Sequence, residues 1–288
     1  MVTNVLVIGA GFLGSHVTEK FMKNGFKVNS TSLSGKNSSM KLDITNFKNT
    51  EKSIEILNPD LIINCVSPTN IDFLEENPNL AFSVNHFALE NIAKIVDKLG
   101  IRLIHISTDS VFDGIKGKYN ESDPPKPINV YSKSKYEGEK VIQKICDNYV
   151  IVRTNFYGVD KYKNFLFSKV LDELEHNRTV IGFDDVIFNP LEITNLSQMI
   201  KEIATTDFTG IIHLASDEII TKYDFCKKIT CFFGMEQSLV KKGSIEDMKF
   251  IARRPKNTSL SNKLAKQIIK TPIIKYEAWL HDVSKIIR

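Results

Sequence analysis

The sequence predicts an α/β protein, a doubly wound parallel sheet followed by a smaller C-terminal lobe. Three observations carry this. Short apolar runs without polar alternation recur through the first two thirds of the chain, each separated from the next by an amphipathic helical stretch. A strand buried on both faces of a parallel sheet requires such a run, and right-handed crossovers place the intervening helices on both sides. A glycine-rich turn joins the first run to the first helix, and the regular rhythm ends after residue 155.

Residues 4–10 ("NVLVIGA") read as the first strand and residues 12–25 as an amphipathic helix closed by Gly25. Residues 27–32 form the second strand, 43–60 carry a helix and 61–67 form the next strand. One long helix spans 77–100, with Gly100 free to cap it in a left-handed conformation. Residues 101–108 are a strand, 131–146 a helix and 149–154 a strand. Beyond them a single clear strand, 210–216, lies among helices and loops, and is expected to pass back into the main sheet.

The 288 residues, 42% hydrophobic and 25% charged, suit a globular chain that buries roughly three quarters of its unfolded surface without disulfides or structural metal. A net charge of +4, with no dense basic block beyond Lys241–Lys242 and Arg253–Arg254, argues against a nucleic-acid groove. Cys65, Cys146, Cys226 and Cys231 form no C-x-x-C pair and suit reduced thiols. The six histidines show no metal-ligand spacing, and His105, inside an apolar strand, reads as a packed core residue. No apolar run approaches the roughly 18 residues of a membrane span. The apolar start lacks a basic segment and reads as a buried strand rather than a signal peptide, so a cytoplasmic protein is expected.

The segment "GAGFLG" places Gly9, Gly11 and Gly14 in G-x-G-x-x-G spacing, with Phe12 and Leu13 between them, directly after a strand and opening a helix. Gly9 makes the tight turn, Gly11 admits a pyrophosphate to the backbone, and Gly14 lets helix and strand pack closely. The helix N-terminus supplies N–H groups for the phosphates. Residues 1–155 therefore read as a Rossmann-type NAD(P)-binding domain, and 156–288 mainly as a substrate-binding lobe. No acidic residue stands between Asn29 and Met40 to bond a ribose 2′-hydroxyl. Ser30, Thr31 and Ser32, with Lys36, suit a 2′-phosphate, which favours NADPH or use of both NADPH and NADH. Asp43, followed by Ile44, stands to cap its helix or to bond the adenine amino group.

Tyr131 and Lys135 are four residues apart and share one helix face. Thr108 ends a strand at the carboxyl edge of the sheet, where ligands of such folds bind. A phenol with a pKa near about 10 exchanges protons poorly at neutral pH, and a neighbouring ammonium lowers that value. With Thr108 aligning a carbonyl, the three residues make a proton donor beside a hydride donor. Asn155 is expected beside the nicotinamide end of the cleft. Arg254 suits a diphosphate, which a guanidinium pairs in bidentate fashion.

Nine segments, "GAGFLG", "LDIT", "INCVSPTNID", "AFSVNHFALENIA", "IHISTDSVFDG", "YSKSKYEGE", "IVRTNFYG", "GIIHLAS" and "RRPKNTSLS", run almost end to end. Together they resemble the extended short-chain dehydrogenase/reductases, most closely the dTDP-4-dehydrorhamnose reductases and related nucleotide-sugar reductases. The resemblance implies that Thr108, Tyr131 and Lys135 are the catalytic trio and that NADPH or NADH is the hydride source. It implies that Cys65, Val66 and Ser67 line the cofactor, that Ser110, Val111 and Phe112 border the sugar, and that the C-terminal lobe holds the nucleotide. The expected reaction is reduction of a nucleotide-linked 4-keto-6-deoxy sugar, by a chain that forms a possible homodimer. Two departures reshape the sugar pocket. Ser110 replaces the usual tyrosine, and Cys65-Val66-Ser67 replaces alanine-alanine-tyrosine. An epimerase, with Cys65 as a further acid/base group, and a non-catalytic regulatory subunit are the alternatives.

Overall fold

The computed structural model describes residues 2–36, 38–160 and 165–276. The first part alternates β1 (Asn4–Ile8), α1 (Phe12–Lys23), β2 (Lys27–Ser32), β3 (Met40–Lys41), α2 (Phe47–Leu57) and β4 (Leu61–Asn64). It continues with α3 (Ile71–Glu76), α4 (Pro78–Phe82), α5 (Ala88–Leu99), β5 (Arg102–Ile106), α6 (Val130–Ile145) and β6 (Tyr149–Thr154). Then come β7 (Phe156–Tyr157), α7 (Leu166–Glu175), β8 (Val180–Phe183), β9 (Ile187–Phe188), β10 (Leu191–Glu192) and α8 (Ile193–Ile203). Last are β11 (Gly210–Leu214), β12 (Ile220–Thr221), α9 (Lys222–Phe232), β13 (Val240–Gly243) and α10 (Lys263–Ile268).

Seven strands pair in the order β11-β6-β5-β4-β1-β2-β3, and every pair is parallel. The fold is thus the doubly wound sheet expected, with one strand, the two-residue β3, that was too short to read. Alternate residues of each strand enter opposite layers. Val5, Val7, Ile63, Ile104 and Val152 pack under α1 and α8, while Leu6, Ile8, Ile62, Leu103 and Ile151 pack under α5 and α6. The chain winds from β1 outward to β3 and then returns to β4 on the other side of β1. This reversal opens a crevice at the carboxyl ends of β1 and β4.

Strand 210–216 does return: β11 pairs with β6 from Gly210↔Val150 to Leu214↔Thr154. Helix α8 also belongs to the sheet's own layers, through Leu196, Met199, Ile200 and Ile203. A separate cluster, including Phe167, Leu171, Phe225, Ile229 and Val240, gathers α7, α9, β8 and β13 into the second lobe.

Two expectations are adjusted here. The long helix expected over 77–100 is found from Pro78 to Leu99, but it carries a π-helical turn, Ser83–Phe87, between α4 and α5. Proline fits a first helical turn because its missing N–H is not needed there. The π turn carries an extra residue and brings the Asn85 carbonyl against α6, where a Cβ on Gly138 would lie 2.2 Å from it. The second correction concerns α2, which is capped by Asn46, whose side chain accepts from Asn49 N–H at 3.1 Å. Asp43 instead accepts from Thr45 N–H at 2.9 Å in a local turn. Gly100 does cap α5, at φ 66°.

Candidate active site

The glycine turn is dictated by space. Gly9 sits at φ 96°, where a Cβ would meet Val66 Cγ2 at 2.7 Å, and a Cβ on Gly14 would lie 1.9 Å from the Gly9 carbonyl oxygen. Gly9 and Ala10 both donate to the Thr31 carbonyl, at 3.0 and 2.7 Å, which locks the turn to the end of β2. A Cβ on Gly11 would meet nothing within 4 Å. Gly11 is also the N-cap of α1, and it offers no side chain to the first-turn N–H groups. These groups open on a cleft of about 950 Å³ lined by Gly11, Phe12, Leu13, Gly14, Tyr131 and Lys135, among others. An open backbone cradle at a helix N-terminus fits a dinucleotide's pyrophosphate.

The residues expected to read the ribose are placed unevenly. Thr31 is buried and its Oγ1 has no protein partner. Ser32 Oγ donates to the Lys36 carbonyl at 3.1 Å, so the loop already uses it. Ile44 turns its side chain into the core with Leu42 and Ile54.

At the other end, Thr108 follows β5 and caps a short turn, accepting from Ser110 N–H at 3.1 Å. Burial pushes the Tyr131 phenol up, a hydrogen bond with Thr108 pulls it down, nearby Asp109 raises it and a bond with Ser67 lowers it. Asn155 fixes this corner by donating to Asp109 Oδ2 at 3.0 Å. Burial also raises Asp109, which four hydroxyl and amide partners hold back.

Lys135 lines the same cleft as Tyr131. Lys135 Nζ donates to the Ile106 carbonyl at 2.6 Å and lies 3.3 Å from His105 Nε2. Both residues leave the same face of α6, but the longer stem of Lys135 carries its nitrogen beneath the end of β5. There burial pushes it down to about 8, against the pull of Glu139 and Cys65. Thr108 and Ser67 partly offset the burial that disfavours the Tyr131 phenolate.

Other placements correct the sugar-side expectations. Val111 and Phe112 are fully buried in a cluster with Tyr119, Ala215 and Leu260, so their side chains belong to the core. Phe112 stacks on Tyr119 with ring centroids 4.1 Å apart. Ser110 stays half-buried and donates to Asp109 Oδ1 at 3.2 Å. Arg254 is already paired, with Nη2 3.0 Å from Asp72 Oδ1 and its guanidinium 5.0 Å from the Phe250 ring centroid. Cys65 and Ser67 line the cleft. Burial pushes the Cys65 thiol up to about 12, with Lys135 pulling it down.

Three features were missed. Asn85, buried in the π turn, donates to Ser134 Oγ at 2.9 Å and accepts from Ser67 Oγ at 3.3 Å, backing a residue that touches the phenol. An asparagine inside the apolar stripe of "AFSVNHFALENIA" was the available signal. Arg153 and Glu139 form a buried ion pair with Nη2–Oε2 at 2.6 Å, and Ser107 also donates to Glu139. Lys222, at the start of α9, is pushed down by burial and held up by Asp109 in the same corner. No local pattern in the sequence marks either of these two.

The profile of the RmlD substrate binding domain family matches residues 3–288, nearly the whole chain. The chain belongs to this family. It is 33% identical over 228 residues to a probable low-salt glycan biosynthesis reductase, Agl14, of Haloferax volcanii, covering 76% of this chain and 75% of that protein. It is 30% identical to the dTDP-4-dehydrorhamnose reductase of Aggregatibacter actinomycetemcomitans, covering 89% and 90%. Among solved structures, the dTDP-4-dehydrorhamnose reductase of Bacillus anthracis in complex with NADP is similar at TM-score 0.86 and 26% identity, covering 100% and 99%. Membership in the RmlD family and the doubly wound sheet thus agree with the resemblance drawn from the motifs.

Proposed function

We propose that the protein is an NADPH-dependent reductase of a nucleotide-linked 4-keto-6-deoxy sugar. The observation that carries this is the Tyr131 phenol, held by Thr108 and Ser67 in the cleft that begins at the Gly11 cradle. The relatives named for reduction and the neighbour holding NADP support the same assignment. Gly11 and the open N-terminus of α1 receive the pyrophosphate, and Cys65 and Ser67 border the cofactor. When bound, the nicotinamide supplies a hydride to the sugar's carbonyl carbon. Thr108 Oγ1 aligns the carbonyl oxygen, and Tyr131 gives its proton to the developing alkoxide. General acid catalysis of this kind contributes about 10²–10⁴-fold, and fixed positioning contributes roughly 7–11 kcal/mol.

Lys222, near Asp109, is a cation that could meet a diphosphate, whereas Arg254 would serve only by leaving Asp72. Among the described residues no helix is long and apolar enough to cross a membrane. With all four cysteines free, this supports a cytoplasmic enzyme. The test is NADPH oxidation against a panel of 4-keto nucleotide sugars, with product analysis in the presence and absence of NADPH. Oxidation that depends on one such sugar supports the assignment. Conversion without net reductant would instead make the protein an epimerase, and no conversion of any panel member would remove the reductase reading.

A further inference from the structure

Lys135 touches a chain of groups that the reductase chemistry does not use. Its Nζ is 3.3 Å from His105 Nε2, and the other ring nitrogen, Nδ1, is 3.2 Å from Asn64 Nδ2. The Asn64 amide is oriented from its other end, because Oδ1 accepts from Val66 N–H at 3.1 Å. An amide nitrogen only donates, so the His105 lone pair must lie on Nδ1. Burial and Lys135 keep His105 well below its usual range, so the ring is neutral and carries its single proton on Nε2. That N–H points at Lys135.

An ammonium has only hydrogens to offer and meets this donor head-on, whereas a neutral amine accepts from it with its lone pair. The amine form therefore satisfies every partner, since it still donates to the Ile106 carbonyl at 2.6 Å. Charging Lys135 costs one bond. Either Lys135 and Nε2–H oppose each other, or the ring changes tautomer and Asn64 loses its bond to His105 or to Val66. We propose that Asn64 and His105 form a fixed-tautomer relay that opposes the charged form of Lys135 and so sets how readily this amine gives up its proton. The purpose of the relay rests on the reductase reading; its geometry does not. His105 and Asn64 are positioning residues in this scheme, acting through Lys135.

The other groups near Lys135 lie on α6 and just after β4. Glu139, one turn further along α6, favours the charged form but is itself held by Arg153 of β6 and by Ser107, just after β5. Cys65, after β4, is a neutral thiol at neutral pH, and Tyr131 stands one turn earlier on α6. None of these groups offers Lys135 the lone pair that His105 withholds.

The test uses the ligand-free full chain with labelled histidine and lysine side chains, followed by NMR, with His105→Leu and Lys135→Met variants assigning the signals. The expected result is a His105 ring protonated on Nε2 from about pH 6 to about pH 9. In His105→Gln, whose amide rotates to present Oε1 to the ammonium, the Lys135 titration midpoint should rise by about one unit. That midpoint is a readout which a merely structural role would not move. An Nδ1-protonated ring in the unmodified protein would overturn the relay, whether or not His105→Gln folds. So would a folded His105→Gln with an unmoved midpoint. A protein that oxidises no NADPH yet shows the Nε2 tautomer and the shifted midpoint would remove the reductase reading and leave the relay standing.

Discussion

Replacing Arg153 with methionine tests how firmly the helix that carries Tyr131 and Lys135 is tied to the sheet. Arg153 and Glu139 have side-chain exposures of 1% and 0%, so neither charge has water to fall back on. The guanidinium makes three contacts with the carboxylate, Nη2 at 2.6 Å and Nε at 3.1 Å to each oxygen. Removing one partner of a buried pair leaves the other charge uncompensated and costs about 3–5 kcal/mol. In a chain of this size that lowers the melting temperature by roughly 6–20 °C. The double variant Arg153→Met with Glu139→Gln buries no charge, and the new amide oxygen still accepts from Ser107, so it should recover at least half of the loss. Thermal melting at neutral pH, followed by circular dichroism, measures both. A single variant that melts within about 3 °C of the unmodified protein, or a double variant as unstable as the single, would refute the reasoning.

Three further outcomes are expected. Tyr131→Phe should keep NADPH binding, measured by fluorescence titration, while turnover falls by at least about 10²-fold; undiminished turnover removes the phenol from proton transfer. Gly11→Ala adds a methyl group to open space and should leave the melting temperature unchanged while weakening NADPH, whereas Gly14→Ala forces backbone apart and should destabilise by about 1–3 kcal/mol. The third outcome concerns pH. Lys135 is pushed down to about 8 from a usual 10.5, so the folded state holds fewer protons than the unfolded state between those values. Its buried charge therefore penalises folding below about pH 8, and the penalty is relieved as pH rises toward 10.5. The melting advantage of Lys135→Met over the unmodified protein should shrink across that window.

What was legible in the sequence is what local spacing encodes. Gly9, Gly11 and Gly14 declare a turn because each answers a steric demand within a few residues of itself, and Tyr131 and Lys135 share a face because helices repeat. The direction of the Lys135 nitrogen was not legible, since the Ile106 carbonyl that receives it lies 29 residues away on another element. Val111 and Phe112 follow the sheet's edge in sequence, yet they turn inward to meet Ala215 and Leu260, which arrive much later in the chain. Arg254 finds its partner, Asp72, on α3 near the other end of the chain. The π turn at Asn85 meets α6 at Gly138, a contact that exists only once the two helices are packed.

The return of β11 to the edge of the sheet has a consequence for any attempt to take this protein apart. A fragment ending at residue 155 would keep the cradle, the phenol and the amine, yet it would leave β6 with a bare row of amides and carbonyls. It would also strip α8 from the apolar underside it shares with α1. Such a fragment invites other chains to pair along that row and clump. The two lobes cannot be exchanged between relatives as cassettes cut at a single joint; a working chimera must carry α8 and β11 along with the first 155 residues.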